Sequence, residues 1–301
     1  MTPPDFALIV IGDEVLSGRR RDQHLPKWIE LLGERGLRLA WAEYVGDDPA
    51  RITQVLRRAF ASGAAVVSSG GIGATPDDHT RQCAAAALGR PLQLHPQARA
   101  LIEERMRDMA RARGERFDAA RPDNVHRLNM GLLPQGAGII PNPFNKIPGF
   151  YCVPSGAALQ AALPPGPDGD APAAAASGAL RAAAAGGCVF FVPGFPVMAW
   201  PMMAWALDTF YHPWFQRGAW QEKSVILLGA TEATLTPVMQ ALEAAHPQIK
   251  VFSLPSVDHP EFGPHIDLGV KGPVQAVAAA YADLRARLAA FDLKYGPELV
   301  R

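Results

Sequence analysis

Phe6-Ala-Leu-Ile-Val-Ile11 is an uninterrupted apolar run near the start of the chain. A run without polar residues is typical of a strand that is buried on both faces of a parallel sheet. The next apolar residues recur at helical spacing: Leu25, Trp28, Ile29 and Leu32. Residues 37–45 have the composition of a second strand. Residues 6–45 therefore predict a strand–helix–strand unit of an α/β domain.

A second unit of the same kind follows from Pro49. Its apolar residues again recur at helical spacing: Ile52, Val55, Leu56, Ala59 and Phe60. A third buried strand, Ala64-Ala-Val-Val-Ser68, runs into Ser69-Gly-Gly-Ile-Gly73. Thr75 is a suitable N-cap and Pro76 suits the first helical position, so a helix is expected to begin there. The alternation predicts a mostly parallel sheet covered by helices on both faces, a three-layer α/β domain.

The loops that leave these strands predict a ligand site. Ligands of open parallel sheets bind beyond the carboxyl ends of the strands. The loops after Ile11, Val45 and Ser68 all leave the sheet at that edge, and each carries acids, glycines or both. The candidate ligand-binding residues of the first and third loops are Gly12, Asp13, Glu14, Ser17, Gly18, Ser69, Gly70, Gly71, Ile72, Gly73, Thr75 and Thr80.

The glycine-rich turn at 69–73 and the acids after it carry the strongest local signal. Glycines let a backbone approach a ligand closely, and a following helix presents free N–H groups to an anion. Asp77 and Asp78 come next; acids in a first helical turn are also favoured by the helix dipole alone. Carboxylates beside a phosphate cradle indicate a divalent cation between them, because two anions otherwise repel.

The domain organisation follows from a change of pattern late in the chain. Residues 1–217 are expected to form the α/β domain, with a flexible Pro-, Gly- and Ala-rich insertion at about 164–187. Residues 218–301 have the order strand, helix, strand, strand, helix, which predicts a small α+β domain.

Composition narrows the class of protein. The 301 residues contain 29 Lys and Arg and 29 Asp and Glu, so no global charge attracts nucleic acid or an anionic membrane. The sequence has neither a long apolar run nor a signal peptide, and its three cysteines lack metal-ligand spacing. We therefore expect a cytoplasmic protein without a disulfide framework, nucleic-acid partner or membrane partner.

Several motifs recur in a fixed order along residues 5–215. They are Gly12-Asp-Glu-Val-Leu-Ser-Gly18, Val45-Gly-Asp-Asp48, Gly70-Gly-Ile-Gly-Ala-Thr-Pro-Asp-Asp78 with Thr80, Pro122-Asp-Asn124, Leu133-Pro-Gln-Gly-Ala137, Asn142-Pro143, Pro148-Gly-Phe150 and Val192-Pro-Gly-Phe-Pro196. Together these motifs resemble the N-terminal half of competence/damage-inducible protein A, a member of the molybdopterin-binding superfamily that includes molybdopterin adenylyltransferases.

The resemblance implies a Mog-type domain followed by a KH-like domain, and a homo-oligomer. It implies that Asp47 and Asp78 are catalytic and, with Asp77, hold a divalent metal such as Mg²⁺ against a pyrophosphate. The ligand is expected to be a small nucleotide or pterin, molybdopterin included. The further ligand-binding residues that it implies lie on later loops: Asn142, Pro143, Pro148, Gly149, Pro193 and Gly194.

The sequence also departs from the pattern of the resembled family. Asp22-Gln-His24 stands where an Asp-Thr-Asn stretch is usual, and Val197-Met-Ala199 lacks the glutamate that usually follows the Pro-Gly-x-Pro motif. In the last domain, Gly229-Ala-Thr-Glu232 lacks the second glycine with which KH domains grip a nucleic-acid backbone.

Three functions are consistent with these residues. The first is metal-dependent cleavage of a pyrophosphate in a nucleotide such as ADP-ribose. The second is adenylylation of molybdopterin with Mg·ATP. The third is a binding module that holds a nucleotide or pterin without catalysis, which the missing glutamate favours.

Overall fold

The computed structural model describes residues 3–154, 187–216, 218 and 220–301. The chain divides into two compact units, Met1–Phe215 and Gln216–Arg301. The boundary predicted from the sequence falls after residue 217. All but the last residue of the predicted insertion at 164–187 lies outside the described residues.

The first unit alternates strands and helices from its start. The elements up to residue 88 are β1 (Phe6–Ile11), α1 (Asp13–Leu16), α2 (His24–Gly33), β2 (Leu39–Val45), α3 (Pro49–Ala61), β3 (Ala65–Ser69) and α4 (Thr80–Leu88). Shorter strands and three more helices follow. They are β4 (Leu92–Leu94), α5 (Pro96–Ala112), α6 (Pro122–Leu128), β5 (Leu132–Pro134), β6 (Gly138–Ile140), β7 (Gly149–Cys152), β8 (Cys188–Val192) and α7 (Pro196–Ala206).

The main sheet has six strands in the order β2-β1-β3-β8-β7-β6. Strands β2, β1, β3 and β8 run parallel, whereas β7 is antiparallel to both of its neighbours. The predicted mostly parallel sheet is therefore confirmed. Because β6 runs in the same direction as β8, the loop after β6 leaves the sheet at the same edge as the loops after β1, β2, β3 and β8.

Two separate cores cover the two faces of this sheet. Alternate residues of a strand point to opposite faces. On β1, Leu8 packs in one core with Trp28 of α2, and Ile9 packs in the other with Leu56 of α3. The sheet lies between two layers of helices, as the sequence predicted.

The start of α4 differs from the prediction. The helix begins at Thr80 rather than near Thr75, because residues 75–79 close two tight turns instead. The amide of Asp78 donates to the carbonyl of Thr75 at 3.0 Å, and the amide of His79 donates to the carbonyl of Asp77 at 3.0 Å. The Thr75 hydroxyl does not accept a backbone N–H as an N-cap would; it donates to the Asp78 carboxylate at 2.5 Å.

The second unit, described by itself, is an α+β unit as predicted. Its elements are β9 (Trp220–Leu228), α8 (Glu232–Ala245), β10 (Lys250–His259), β11 (Gly263–Pro273), α9 (Val274–Leu288) and β12 (Lys294–Val300). The strands form an antiparallel sheet in the order β10-β11-β9-β12, and both helices contribute to one core, with Leu242 and Leu284 among its residues. Strand β12 was absent from the predicted order.

Two further features concern the whole chain. Among the described residues, the helices are too short or too polar to span a bilayer. All three cysteines are free and buried. Cys152 and Cys188 lie on neighbouring strands but belong to opposite cores. Burial raises the pKa of the Cys152 thiol to about 12, so this residue is an unreactive part of the core.

Candidate functional site

A cleft of about 430 Å³ lies where the loops leave the carboxyl edge of the main sheet. This volume falls within the usual range of small-molecule sites. Most of the lining residues come from the loops after β1, β2, β3, β6 and β8; Met130 comes from the segment between α6 and β5, and Met198 comes from α7. They are Ile11, Gly12, Glu14, Arg20, Asp47, Gly70, Gly71, Ile72, Gly73, Ala74, Thr75, Asp77, Asp78, Met130, Asn142, Asn145, Ile147, Pro148, Pro193, Gly194, Phe195 and Met198.

The loops after β1 and β2 hold each other through reciprocal hydrogen bonds. The amide of Asp13 donates to the Asp47 carboxylate at 2.9 Å, and the amide of Asp47 donates to the Asp13 carboxylate at 3.2 Å. A Cβ atom at Gly46 would lie 2.4 Å from the Asp13 carboxylate, so a glycine lets the two loops approach. This pairing fixes Asp47 at the cleft.

The environment of Asp47 disfavours its charge. Burial is the main reason that the pKa of Asp47 is raised, and the charges of Asp13, Glu14 and Asp77 raise it further. The hydrogen bond from the Asp13 amide partly offsets these effects. A cation bound beside Asp47 would relieve the same repulsion.

The glycine turn passes directly against the end of β1. Gly70 has a φ of 105°, and a Cβ atom there would lie 2.1 Å from the Ile11 carbonyl oxygen. Its amide donates to the carbonyl of Val192 at 3.0 Å, which joins the turn to the end of β8. Thr80 is buried and its hydroxyl donates to the Gly70 carbonyl at 3.1 Å. Thr80 therefore holds the turn from behind.

Arg81 fixes the other half of the turn. This side chain is buried, and its guanidinium donates to the carbonyls of Ile72 and Gly73, the latter at 2.7 Å. Burial lowers the pKa of Arg81, and the charge of Asp78 partly offsets the effect. The carbonyls of Ile72 and Gly73 are directed to Arg81, so tertiary contacts stabilise this half of the turn.

Asp78 lines the cleft and also accepts hydrogen bonds from the turn. Its carboxylate accepts the amide of Thr75 at 2.8 Å and the Thr75 hydroxyl. A Cβ atom at Gly73 would lie 2.5 Å from the Asp78 carboxylate. Glycine at this position thus leaves room for the acid against the turn.

The opposite side of the cleft is formed by the loops after β6 and β8. Asn142 is buried and its side-chain amide donates to the Asn145 side chain and to the Ile147 carbonyl, at 2.9 and 2.8 Å. This network organises the loop that carries Pro148. Gly194 approaches Gly70, since a Cβ atom at Gly194 would lie 3.7 Å from the Gly70 Cα.

The structure brings most of the predicted residues together. The predicted residues that line the cleft are Gly12, Glu14, Asp47, Gly70, Gly71, Ile72, Gly73, Thr75, Asp77, Asp78, Asn142, Pro148, Pro193 and Gly194. The predicted residues outside the lining are Asp13, Ser17, Gly18, Ser69, Thr80, Pro143 and Gly149. Within this second group, Gly149 is buried in β7 against the Phe191 carbonyl, and the Ser69 hydroxyl donates to the Pro193 carbonyl at 3.3 Å.

Sequence reasoning missed the residues that give the cleft its positive charge and its aromatic ring. Arg20 belongs to the run Arg19-Arg-Arg21, which has the appearance of a solvated turn. Phe195 lies inside the Pro193–Pro196 motif, of which only Pro193 and Gly194 were predicted to bind the ligand. Arg81 follows Thr80 directly, but only the folded turn shows its two carbonyl partners.

The described lining residues carry an excess of negative charge. Four are acids, namely Glu14, Asp47, Asp77 and Asp78, and one is basic, namely Arg20. Within the described part of the chain, no three acidic, histidine or cysteine side chains converge closely enough to hold a metal ion by themselves. A phosphorylated ligand would meet four carboxylates and one guanidinium, so its binding calls for added positive charge.

Comparison with known families identifies the first unit. The family described as "Probable molybdopterin binding domain" matches residues 7–212. The chain belongs to this family. The match covers the main sheet, its two helical layers and the whole of the cleft.

Relatives of the family include CinA-like proteins. The chain is 35% identical over 148 residues to a "CinA-like protein" from Anaeromyxobacter sp. (strain Fw109-5), covering 49% of this chain and 34% of the relative. It is 34% identical over 163 residues to a "Putative competence-damage inducible protein" from Symbiobacterium thermophilum, covering 54% and 36%. The matched segment thus spans about a third of the length of these relatives. The resemblance inferred from the motifs is confirmed.

The chain is also similar to a solved structure. It is described as "the protein CinA with unknown function from Thermoplasma acidophilum", and it is 25% identical with a TM-score of 0.49. The match covers 69% of this chain and 98% of that chain.

Proposed function

We propose that this chain is a divalent-metal-dependent enzyme that cleaves the pyrophosphate bond of a nucleotide such as ADP-ribose. The observation that supports the proposal most is the convergence of Asp47 and Asp78 with a rigid glycine turn in one cleft. The excess of carboxylates over guanidinium groups in the lining favours a ligand that arrives with a cation.

The donor set of the cleft fits a hard divalent ion. Mg²⁺ prefers oxygen ligands and is commonly held by one or two carboxylates together with the phosphates of a substrate. Asp47 and Asp78 would hold it, with Asp77 beside them. The lack of a preassembled three-ligand group among the described residues agrees with a site that the substrate completes. When bound, such an ion neutralises phosphoryl oxygens and makes a bound water more acidic.

The backbone of the turn supplies the complementary interaction. Within the described residues, the amides of Gly71, Ile72 and Gly73 have no hydrogen-bond partner, and all three residues line the cleft. Free amides in a fixed turn stabilise the negative charge that develops on a phosphoryl group. Arg81 keeps this backbone in place because it binds the carbonyls of the same turn.

The test is a screen of the purified chain against ADP-ribose and related nucleotides, with Mg²⁺, Mn²⁺ or Co²⁺, following the phosphate products. We expect turnover in the wild type and its loss in Asp78→Asn. Asp48→Asn is the matched control, because Asp48 is exposed, caps α3 through Arg51 at 2.7 Å and does not line the cleft. Full activity in a folded Asp78→Asn variant would contradict the assignment. An adenylylated pterin formed from ATP and molybdopterin would instead identify an adenylyltransferase.

A second candidate is a binding module that holds a nucleotide or pterin without catalysis. The thioether of Met198 lines the cleft on the segment where the resembled family usually has a glutamate. Thermal stabilisation by a nucleotide or pterin, without turnover in any of the three metals, would favour this function.

A further inference from the structure

Phe195 is an exposed aromatic residue in the wall of the cleft. The residue is 53% exposed and comes directly before α7. Its carbonyl accepts the amides of Met198 and Ala199, at 3.0 and 2.8 Å, so its backbone is fixed by the first turn of the helix. The ring therefore contributes little to the core, yet its position is well defined.

A cation accompanies this ring. The Arg20 guanidinium carbon lies 5.2 Å from the centroid of the Phe195 ring, which is within the range of a cation–π interaction. The same guanidinium lies 3.7 Å from the Glu14 carboxylate. Arg20 thus connects the Phe195 ring to the acidic loop that follows β1.

The ring lies next to the glycine turn along the chain. Gly194, the preceding residue, approaches Gly70 of the turn. Its carbonyl is 3.2 Å from Nε2 of His24, which is 6% exposed and holds this loop from behind. Phe195 therefore follows directly after the residue at which the loop after β8 meets the glycine turn, and both line the cleft.

The cleft also has apolar lining residues besides Phe195. Met130, Ile147, Pro148 and Met198 line the same cleft as Phe195. Methionine side chains are adaptable and make favourable contacts with aromatic rings. The cleft volume of about 430 Å³ leaves room for a ring as well as a phosphate group.

We propose that Phe195, with Arg20 over one face of its ring, is the platform on whose other face a planar heteroaromatic ring of the phosphorylated ligand stacks. Phe195 then contributes to the choice of ligand, whereas the acids and the glycine turn bind its phosphates. The proposal rests on the proposed function in one respect only: the ligand of the cleft carries both a phosphate and a ring.

The experiment measures equilibrium binding to the full chain in Mg²⁺ by calorimetry. The probes are AMP, a phosphorylated pterin such as neopterin monophosphate, and ribose 5-phosphate, which has no aromatic ring. We expect the wild type to bind at least one of the two ring-bearing ligands more tightly than ribose 5-phosphate. Phe195→Ala should weaken the binding of that ring-bearing ligand roughly tenfold, which corresponds to the loss of one base–aromatic stack. The affinity for ribose 5-phosphate should stay unchanged.

Two further variants complete the comparison. Phe195→Trp should recover the affinity, because it restores a stacking surface. Phe144→Ala is the matched control, since Phe144 is 60% exposed but does not line the cleft, and it should bind like the wild type. Binding of AMP alone would identify a purine ligand, and binding of the pterin alone would identify a pterin.

The platform would be rejected if the wild type bound all three probes with equal affinity, or bound none of them. It would also be rejected if Phe195→Ala lowered the affinity for ribose 5-phosphate as much as the affinity for the ring-bearing ligand. These outcomes are separate from the failure of hydrolysis. Stacking without any turnover keeps the platform and rejects the pyrophosphatase. If the wild type hydrolyses ADP-ribose and Phe195→Ala shows an unchanged KM, the platform alone is rejected; the expected result is a raised KM with kcat little changed.

Discussion

The pKa of Asp47 reflects the electrostatics of the cleft. Its carboxylate accepts a backbone amide from Asp13, yet its pKa is raised because burial and three nearby carboxylates disfavour its charge. A carboxyl group with a pKa raised by folding binds a proton more tightly in the folded state. Its contribution therefore lowers stability as the pH rises through the window between the unfolded and folded pKa, and stability stays lower above that window.

We expect Asp47→Asn to raise the Tm at neutral pH by about 2 °C, because the repulsion is removed while the asparagine oxygen still accepts the Asp13 amide. The gain should shrink as the pH falls from the raised folded pKa toward the unfolded value of about 4, and it should vanish well below that pH, where the wild-type carboxyl is protonated in both states. Thermal melts at several pH values check this. Excess Mg²⁺ should stabilise the wild type more than the variant; a lower Tm in Asp47→Asn at neutral pH would contradict the argument.

Arg81 stabilises the glycine turn through charge-assisted hydrogen bonds to two of its carbonyls. Arg81→Met leaves those carbonyls without their partner, so we expect a loss of about 2–3 kcal/mol in the free energy of unfolding, measured in urea. Arg81→Lys should recover part of it. Arg99→Met is the control, since Arg99 is an exposed residue paired with Glu103 on α5 and should change stability by less than about 0.5 kcal/mol. Wild-type stability of Arg81→Met would show that the turn does not depend on this side chain.

At the scale of elements, glycines contribute through two distinct properties: they tolerate a positive φ, and they lack a Cβ atom. Gly70 and Gly18 both have positive φ, 105° and 73°. A Cβ atom at Gly18 would meet nothing within 4 Å, whereas one at Gly70 would collide with the Ile11 carbonyl. Comparing the two positions separates the conformational cost from the steric one.

We expect Gly18→Ala to cost about 1 kcal/mol, which is the usual penalty for positive φ. Gly70→Ala adds the clash with β1 and should cost about 3 kcal/mol or more. Chemical denaturation of both variants provides the measurement. Equal losses would mean that the turn moves away from β1 without strain, which would contradict the close approach described here.

The sequence predicted those elements whose pattern is local. Strand β1 is a continuous apolar run, and α9 (Val274–Leu288) begins and ends where its periodicity does. The start of α4 was wrong because the sequence around Thr75 has good N-cap residues, but the fold uses the Thr75 hydroxyl to bind Asp78. Strand β12 was missed because it contains Gly296 and Pro297, and its pairing with β9 is irregular there.

The same reasoning applies to the site. The loops that carry the acids could be predicted because parallel strands bring their carboxyl ends to one edge. Arg20, Phe195 and Arg81 could not, because their significance lies in contacts between residues far apart in the chain or in a turn that forms only after folding. The glycines were expected to let the backbone approach a ligand closely; the hydrogen bonds by which Thr80 and Arg81 hold the turn are visible only in the structure.

At the scale of the whole molecule, every described residue that lines the cleft belongs to the first unit. The second unit has its own core and its own sheet. Compact units with separate cores commonly fold independently. We expect a variant that ends at Phe215 to fold and to bind the ligand of the full chain with an affinity within about twofold. Binding titrations of both proteins test this; loss of affinity in a folded, shortened chain would assign part of the site to residues 216–301.

The close approach of Gly70 to the Ile11 carbonyl also bears on how sequences of this kind diverge. A mutational scan that selects only for a folded product would reject side chains at positions 70 and 71 as firmly as one that selects for activity. If these glycines do not vary among descendants of a common ancestor, the reason would be the folding of the sheet edge. Their invariance would not show that the activity has been retained. Positions such as Asp78 and Phe195, whose side chains rather than backbones line the cleft, are the ones whose drift would reveal a change of ligand.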